Sequence, residues 1–218
     1  MLLNYINFSL YEINIKGMLN FYKNLKVKKP INILVSNWVD VLEYAYANNK
    51  PQIIKPKEAD FIYFQQSIIL PNLCDFYIHF DINKAKSIAN QYHLQTENAR
   101  ALAYSGIEYQ PQNDLKMYHF NSKEPIVIVD FPCELKSEKT IIDGNHRMSA
   151  AVISNSNITF ANFFPHDTLR TIPQLFERAW YCFIVELNQI IHLQTYNQRI
   201  DYIKTKSICN DFYKSILL

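Results

Sequence analysis

Five consecutive residues, Asp143-Gly144-Asn145-His146-Arg147, put an acid, an amide, an imidazole and a guanidinium side by side. A carboxylate can orient a metal ion through oxygen or take up a proton. An imidazole donates, accepts or shuttles a proton near neutral pH. A guanidinium presents a planar fork of donors that matches a phosphate or a carboxylate. Gly144 is one of three glycines in the chain, and glycine lets the backbone take a positive φ or come close to a ligand. Ser149 follows within one turn and adds a hydroxyl. Singly, each residue has an ordinary structural role: Asp143 or Asn145 as a helix cap, Arg147 as a solvated residue of the first turn. Their concentration around a glycine favours a functional reading.

The surrounding pattern predicts how these residues are held. Thr140, Ile141 and Ile142 are β-branched and suit a short buried strand. Met148, Ala151 and Val152 recur at helical spacing. The motif therefore reads as strand, tight turn and helix start, and a helix N-terminus favours anions through its unpaired N–H groups and its dipole. Upstream, Pro125-Ile126-Val127-Ile128-Val129-Asp130-Phe131 is a continuous apolar run, the pattern of a central strand buried on both faces. Downstream, Ile158 to Phe164 is another strand, closed by Pro165.

Earlier in the chain, strand-like fragments at Ile13–Ile15 and Ile31–Val35 flank a basic cluster of Lys23, Lys26, Lys28 and Lys29. Ser36 reads as the N-cap of a helix to about Asn49, with Trp38, Val41, Leu42, Ala45 and Tyr46 as its apolar stripe. Two β-rich runs, 61–64 and 68–70, suggest paired strands, and Phe76 to Phe80 a further one. Asp81 is a candidate N-cap for a helix to about Tyr92. A short helix over about Glu97–Tyr104 is stopped by Gly106. His79 and His93 have no metal-spaced partner and read as packing or surface residues. His166 and Asp167 read as a surface turn. Beyond them, Thr171-Ile172-Pro173-Gln174 suggests a capping box opening a helix to about Leu193. A second helix after Tyr196 would complete a hairpin.

With these elements in place, Asp143-Gly144-Asn145-His146-Arg147 between a strand and a small-residue helix resembles the signature of the ParB/sulfiredoxin-like superfamily. The resemblance is strongest over about residues 120–165 and extends over about 73–168. The residue patterns give an N-terminal extension over 1–72 (a helix at about 36–49 and short strands) and a helical hairpin over 169–218 packed on the rest; the resemblance implies that the part between, 73–168, is a small mixed-sheet ParB/sulfiredoxin-like domain, for an α+β fold overall. It also implies a motif loop that binds nucleotide phosphates. The expected ligand is ATP, ADP or CTP with Mg²⁺. Gly144, Asn145, His146, Arg147 and Ser149 would hold phosphate oxygens, Asp143 would orient the metal, and Asp143, His146 and Arg147 would carry phosphoryl transfer or hydrolysis. Glu108, Asp130 and Glu134 are candidates for a second acid. Sulfinic acid reduction is not expected, because sulfiredoxins carry a cysteine before the His-Arg pair and Asn145 stands there instead.

Bulk composition narrows the field. The chain has 218 residues, 49% of them hydrophobic and 19% charged, as in globular rather than disordered proteins. Lys and Arg number 22 against 20 Asp and Glu, too even a balance to argue for a nucleic-acid partner. Cys74, Cys133, Cys182 and Cys209 form no C-x-x-C pair, so free thiols in a reducing cytosol are expected. The N-terminal residues are not patterned as a signal peptide, and no apolar run has the ~20 residues of a membrane span. The expectation is a cytoplasmic protein that binds a nucleotide and a small-molecule substrate, without a membrane. The alternative is a DNA- or protein-binding module using the same fold without catalysis. Its one basic patch is Lys23 to Lys29, which suits a phosphate backbone.

Overall fold

A computed structural model describes residues 29–48, 63–70, 74–111, 124–130, 139–193 and 196–209. The chain is α+β. In order, the described elements are α1 (Lys29–Asn48), β1 (Tyr63–Leu70), β2 (Cys74–Asp81), α2 (Ile82–Ala89), β3 (Gln95–Asn98), α3 (Ala99–Tyr104), β4 (Ile126–Asp130), β5 (Lys139–Asp143), α4 (Asn145–Ser154), β6 (Asn157–Phe163), α5 (Pro165–Thr171), α6 (Leu175–His192) and α7 (Tyr196–Thr205). They fall into two compact units. One takes its residues from 1–58, 66–78 and 174–218, the other from 59–65 and 79–173, and the division runs through β1 and β2.

The second unit is built on a four-stranded mixed sheet of order β3-β6-β4-β5. β4 pairs antiparallel with β5 and parallel with β6, and β3 closes one edge antiparallel to β6. Ile126 to Val129 are all fully buried, which follows from β4 being an interior strand covered on both faces. Alternate residues of a strand point to opposite faces. Ile126 and Ile128 therefore enter one core with Ile141, Phe160, Leu102 of α3, and Met148 and Ala151 of α4. Val127 and Val129 face the other way, where α2 and α5 pack on β4.

Local capping sets the helix starts. Asp81 is the N-cap of α2, its carboxylate accepting from Lys84 N–H at 3.0 Å. Asn98 ends β3 and caps α3, accepting from the N–H groups of Arg100 and Ala101. α3 ends at Ser105 and Gly106, which takes φ 89°.

In the first unit α1 packs on α6. Trp38 lies edge-on to Phe183 with ring centroids 5.8 Å apart, and Tyr46 edge-on to Phe176 at 5.5 Å. The later α1 residue meets the earlier α6 residue, so the two helices run antiparallel. Trp38, Leu42, Ala45, Phe176, Ala179 and Trp180 are fully buried there.

Several expectations are corrected. Residues 31–35 are not a strand: α1 already begins at Lys29, so Ser36 lies inside it rather than at its N-cap. The runs at 61–64 and 68–70 are not two paired strands, since residues 63–70 form the single strand β1, paired with β2. His166 and Asp167 sit in helix α5, not in a turn. The capping box at Thr171 does not form. Its hydroxyl donates to Thr168 C=O within α5, and α6 starts later with Gln174 as an N-cap that makes no side-chain hydrogen bond. The expected fragment at 13–15, Lys23, Lys26, Lys28, Cys133 and Glu134 lie outside the described residues.

Candidate functional site

The motif occupies the corner where β5 turns into α4. β5 ends at Asp143, which pairs with Val127 near the start of β4. Gly144 follows with φ 96°, a left-handed conformation that L side chains rarely adopt. A Cβ on Gly144 would lie 2.4 Å from Ile126 Cγ2. Glycine is thus required twice, by its dihedral and by the close approach of β4. Met148 N–H donates to Gly144 C=O at 2.8 Å and closes the first turn. The preceding N–H groups face out of the helix end, as at any helix N-terminus.

Asn145 fixes this corner. Its amide donates to Ile141 C=O at 3.1 Å and accepts from Gln110 N–H at 2.8 Å. Ser149 is buried, and its hydroxyl donates to Asn145 C=O at 2.9 Å. These bonds of Asn145 and Ser149, two of the residues expected to hold phosphate oxygens, brace the turn and the first helical turn. His146 is half-buried on that first turn.

Arg147 lies across the corner. One arm donates to the Asp143 carboxylate at 2.7 Å, an i,i+4 pair with side chains 12% and 17% exposed. The other arm donates to Glu124 C=O at 2.7 Å and lies 3.5 Å from the Glu124 carboxylate. Lys86, from α2, reaches the same group: its ammonium is 3.7 Å from Glu124 and 3.9 Å from Asp143. Two cations and two carboxylates therefore alternate at the N-terminal end of α4. Asp143 and Arg147 form the shielded half; Glu124 and Lys86, with side chains 51% and 47% exposed, form the half open to water.

Lys86 and Glu124 carried no motif signal. Each lies outside the motif in another segment of the chain, and only the docking of α2 and the entry into β4 bring them here. Of the acids weighed as a partner for the motif, Asp130 is at the far end of β4, where it pairs with Lys139, roughly 10 Å along the strand from the site. Glu108 is exposed, and its backbone bridges to Thr140 on the outer side of β5. Glu124 is the acid that the structure places beside Arg147. Among the described residues, no three His, Cys, Asp or Glu side chains converge as a metal site, so a cation held by Asp143 would take its other oxygens from ligand and water.

Elsewhere in this unit, the Tyr92 hydroxyl donates to Asp167, and burial with that bond pushes the phenol up to about 12. Asp167 also pairs with Arg170 at 3.2 Å. The trio ties α5 to the chain after α2.

No helix among the described residues is long and apolar enough to cross a membrane. Comparison with known proteins finds no matching family model, no similar curated protein and no similar solved structure. The class these findings define is an α+β protein with a glycine turn and an ion-paired helix N-terminus.

Proposed function

We propose that the Gly144 corner is an anion site that takes the phosphates of a nucleotide, in a domain of the ParB/sulfiredoxin-like kind, and that it serves phosphoryl transfer or hydrolysis. The observation that carries the reading is the convergence of Arg147 and Lys86 on the N-terminal end of α4, beside a glycine with no room for a side chain. A phosphate there would meet backbone N–H groups, the helix dipole and two cations together. Arg147 would supply the bidentate fork and Lys86 a mobile point charge. Phosphoryl transfer is largely positioning and charge stabilisation, so such a cradle is most of what the chemistry needs. Asp143 and Glu124 are the carboxylates that could orient Mg²⁺ or accept a proton, and His146 stands on the first turn of α4. Asn145 and Ser149 position the turn.

One observation favours a second reading. Both arms of Arg147 already have protein partners. On that reading Asp143-Arg147 is an internal tie that locks β5 to α4, and the corner is structural. Thermal unfolding with ATP, ADP, CTP and GTP, each with and without Mg²⁺, separates the two. A ligand that binds the native state alone raises its melting temperature. The anion-site reading expects a rise with at least one nucleotide; no rise with any of them at millimolar concentration would leave the structural tie.

A further inference from the structure

The two carboxylates of the corner are held differently. Asp143 makes a direct 2.7 Å contact with Arg147 and is 17% exposed. The Glu124 carboxylate is 51% exposed and sits 3.5 Å from Arg147 and 3.7 Å from Lys86. Arg147 does not depend on that carboxylate for its placement, because the same arm donates to the Glu124 backbone carbonyl at 2.7 Å. The Glu124 side chain is therefore an anion resting between two cations, in loose contact with both.

We propose that Glu124 is an internal competitor for the anion site: its carboxylate occupies the ground between Arg147 and Lys86, and a phosphate ligand binds by displacing it toward solvent. The inference rests on the phosphate-site reading above and adds a regulatory contact to it. With Glu124 in place the four charges balance. When its carboxylate swings away, only Asp143 offsets the charges of Arg147 and Lys86, so the corner becomes net positive. Exposed ion pairs at these separations are weak, so the competitor tunes affinity without closing the site. Selectivity follows: a ligand with several phosphate charges displaces one carboxylate more readily than a singly charged one does.

The test is isothermal titration of ATP and of inorganic phosphate into the wild-type chain, Glu124→Gln and the double variant Glu124→Gln/Arg147→Ala, with melting temperatures recorded for all three. Glutamine keeps the size and removes the charge. The expected result is a Glu124→Gln variant that melts close to wild type, binds ATP about three- to tenfold more tightly, as expected for removing one or two weak charge contacts, and loses that binding when Arg147 is also replaced. A wild type that binds ATP and a Glu124→Gln variant that binds it equally or less well would overturn the competitor and leave the phosphate site standing. Absence of ATP binding in both chains would overturn the phosphate site and the competitor together.

Discussion

Arg147 is held by a side chain four residues back, a backbone carbonyl at the entry to β4 and a carboxylate at the rim. The first of these is local, joining residues four apart across the glycine turn. The other two depend on tertiary docking and left no trace in the local sequence. Gly144 was legible for the opposite reason. A glycine between a β-branched run and a helical stripe implies a positive φ, and the structure gives 96°. The reach of Ile126 toward it was not legible, since nothing in the sequence sets how close β4 comes. Gly106 and Gly144, both at positive φ among the described residues, separate these effects. A Cβ on Gly106 would meet nothing within 4 Å, whereas one on Gly144 would run into Ile126. Alanine at Gly106 should therefore cost only the left-handed strain, about 1–2 kcal/mol. Alanine at Gly144 should cost that plus overpacking of about 1–3 kcal/mol. Chemical denaturation of both variants checks the order; equal losses would mean that Ile126 yields without cost.

Among the elements, β4 and α6 were read most directly. An unbroken run of apolar residues after a proline has few places to go other than an interior strand, and Leu175, Phe176, Ala179, Trp180, Phe183 and Ile184 recur at helical spacing along α6, a stripe that must be covered. Trp180 is fully buried on α6 and packs its ring 5.2 Å from Phe183. Trp180→Ala should destabilise the protein by about 3–5 kcal/mol, read by urea unfolding; a change within error would contradict its place in the core. The same stripe hid Glu186, because periodicity registers apolar residues and passes over a buried charge. Its carboxylate accepts from Trp38 Nε1 at 2.6 Å and from the N–H groups of Ile208 and Cys209 at 2.6 and 3.2 Å, joining α1 and α6 to the helical residues that follow α7. Burial raises its pKa, and these donors only partly oppose the shift. Burial, and secondarily the Glu186 charge, also pushes the Cys182 and Cys209 thiols up to about 12, so both stay protonated and unreactive. A raised carboxyl pKa means that the native chain holds the proton more tightly than the unfolded one. The stability of wild type relative to Glu186→Gln should therefore be greatest below the ordinary carboxylate range and decline as pH rises through the raised native value. Parallel stability curves for the two chains from acid to neutral pH would show that Glu186 does not titrate this way.

For the whole molecule, the α+β class followed from the alternation of β-rich runs and helical stripes. What the sequence concealed was sheet order and the path between units. β3 is four polar residues on an exposed edge, Gln95-Thr96-Glu97-Asn98, and it has no apolar alternation to betray it. The expected boundaries near 72 and 168 cut the chain into consecutive segments, whereas the compact units interleave along it. Interleaving is set by long-range pairing, which no local window records. The central claim, that the Gly144 corner binds nucleotide phosphate through Arg147, concerns the one place where motif, turn and distant charges meet. Its most direct test is nucleotide titration of wild type and Arg147→Ala, with the melting temperature of each ligand-free chain measured alongside. Wild type should bind a nucleotide, Arg147→Ala should bind it at least about tenfold more weakly while still folding, as for a lost charged hydrogen bond, and Arg147→Lys should recover part of the loss. An Arg147→Ala chain with a lower melting temperature and unchanged nucleotide affinity would contradict the claim, and would assign Arg147 to the internal tie with Asp143.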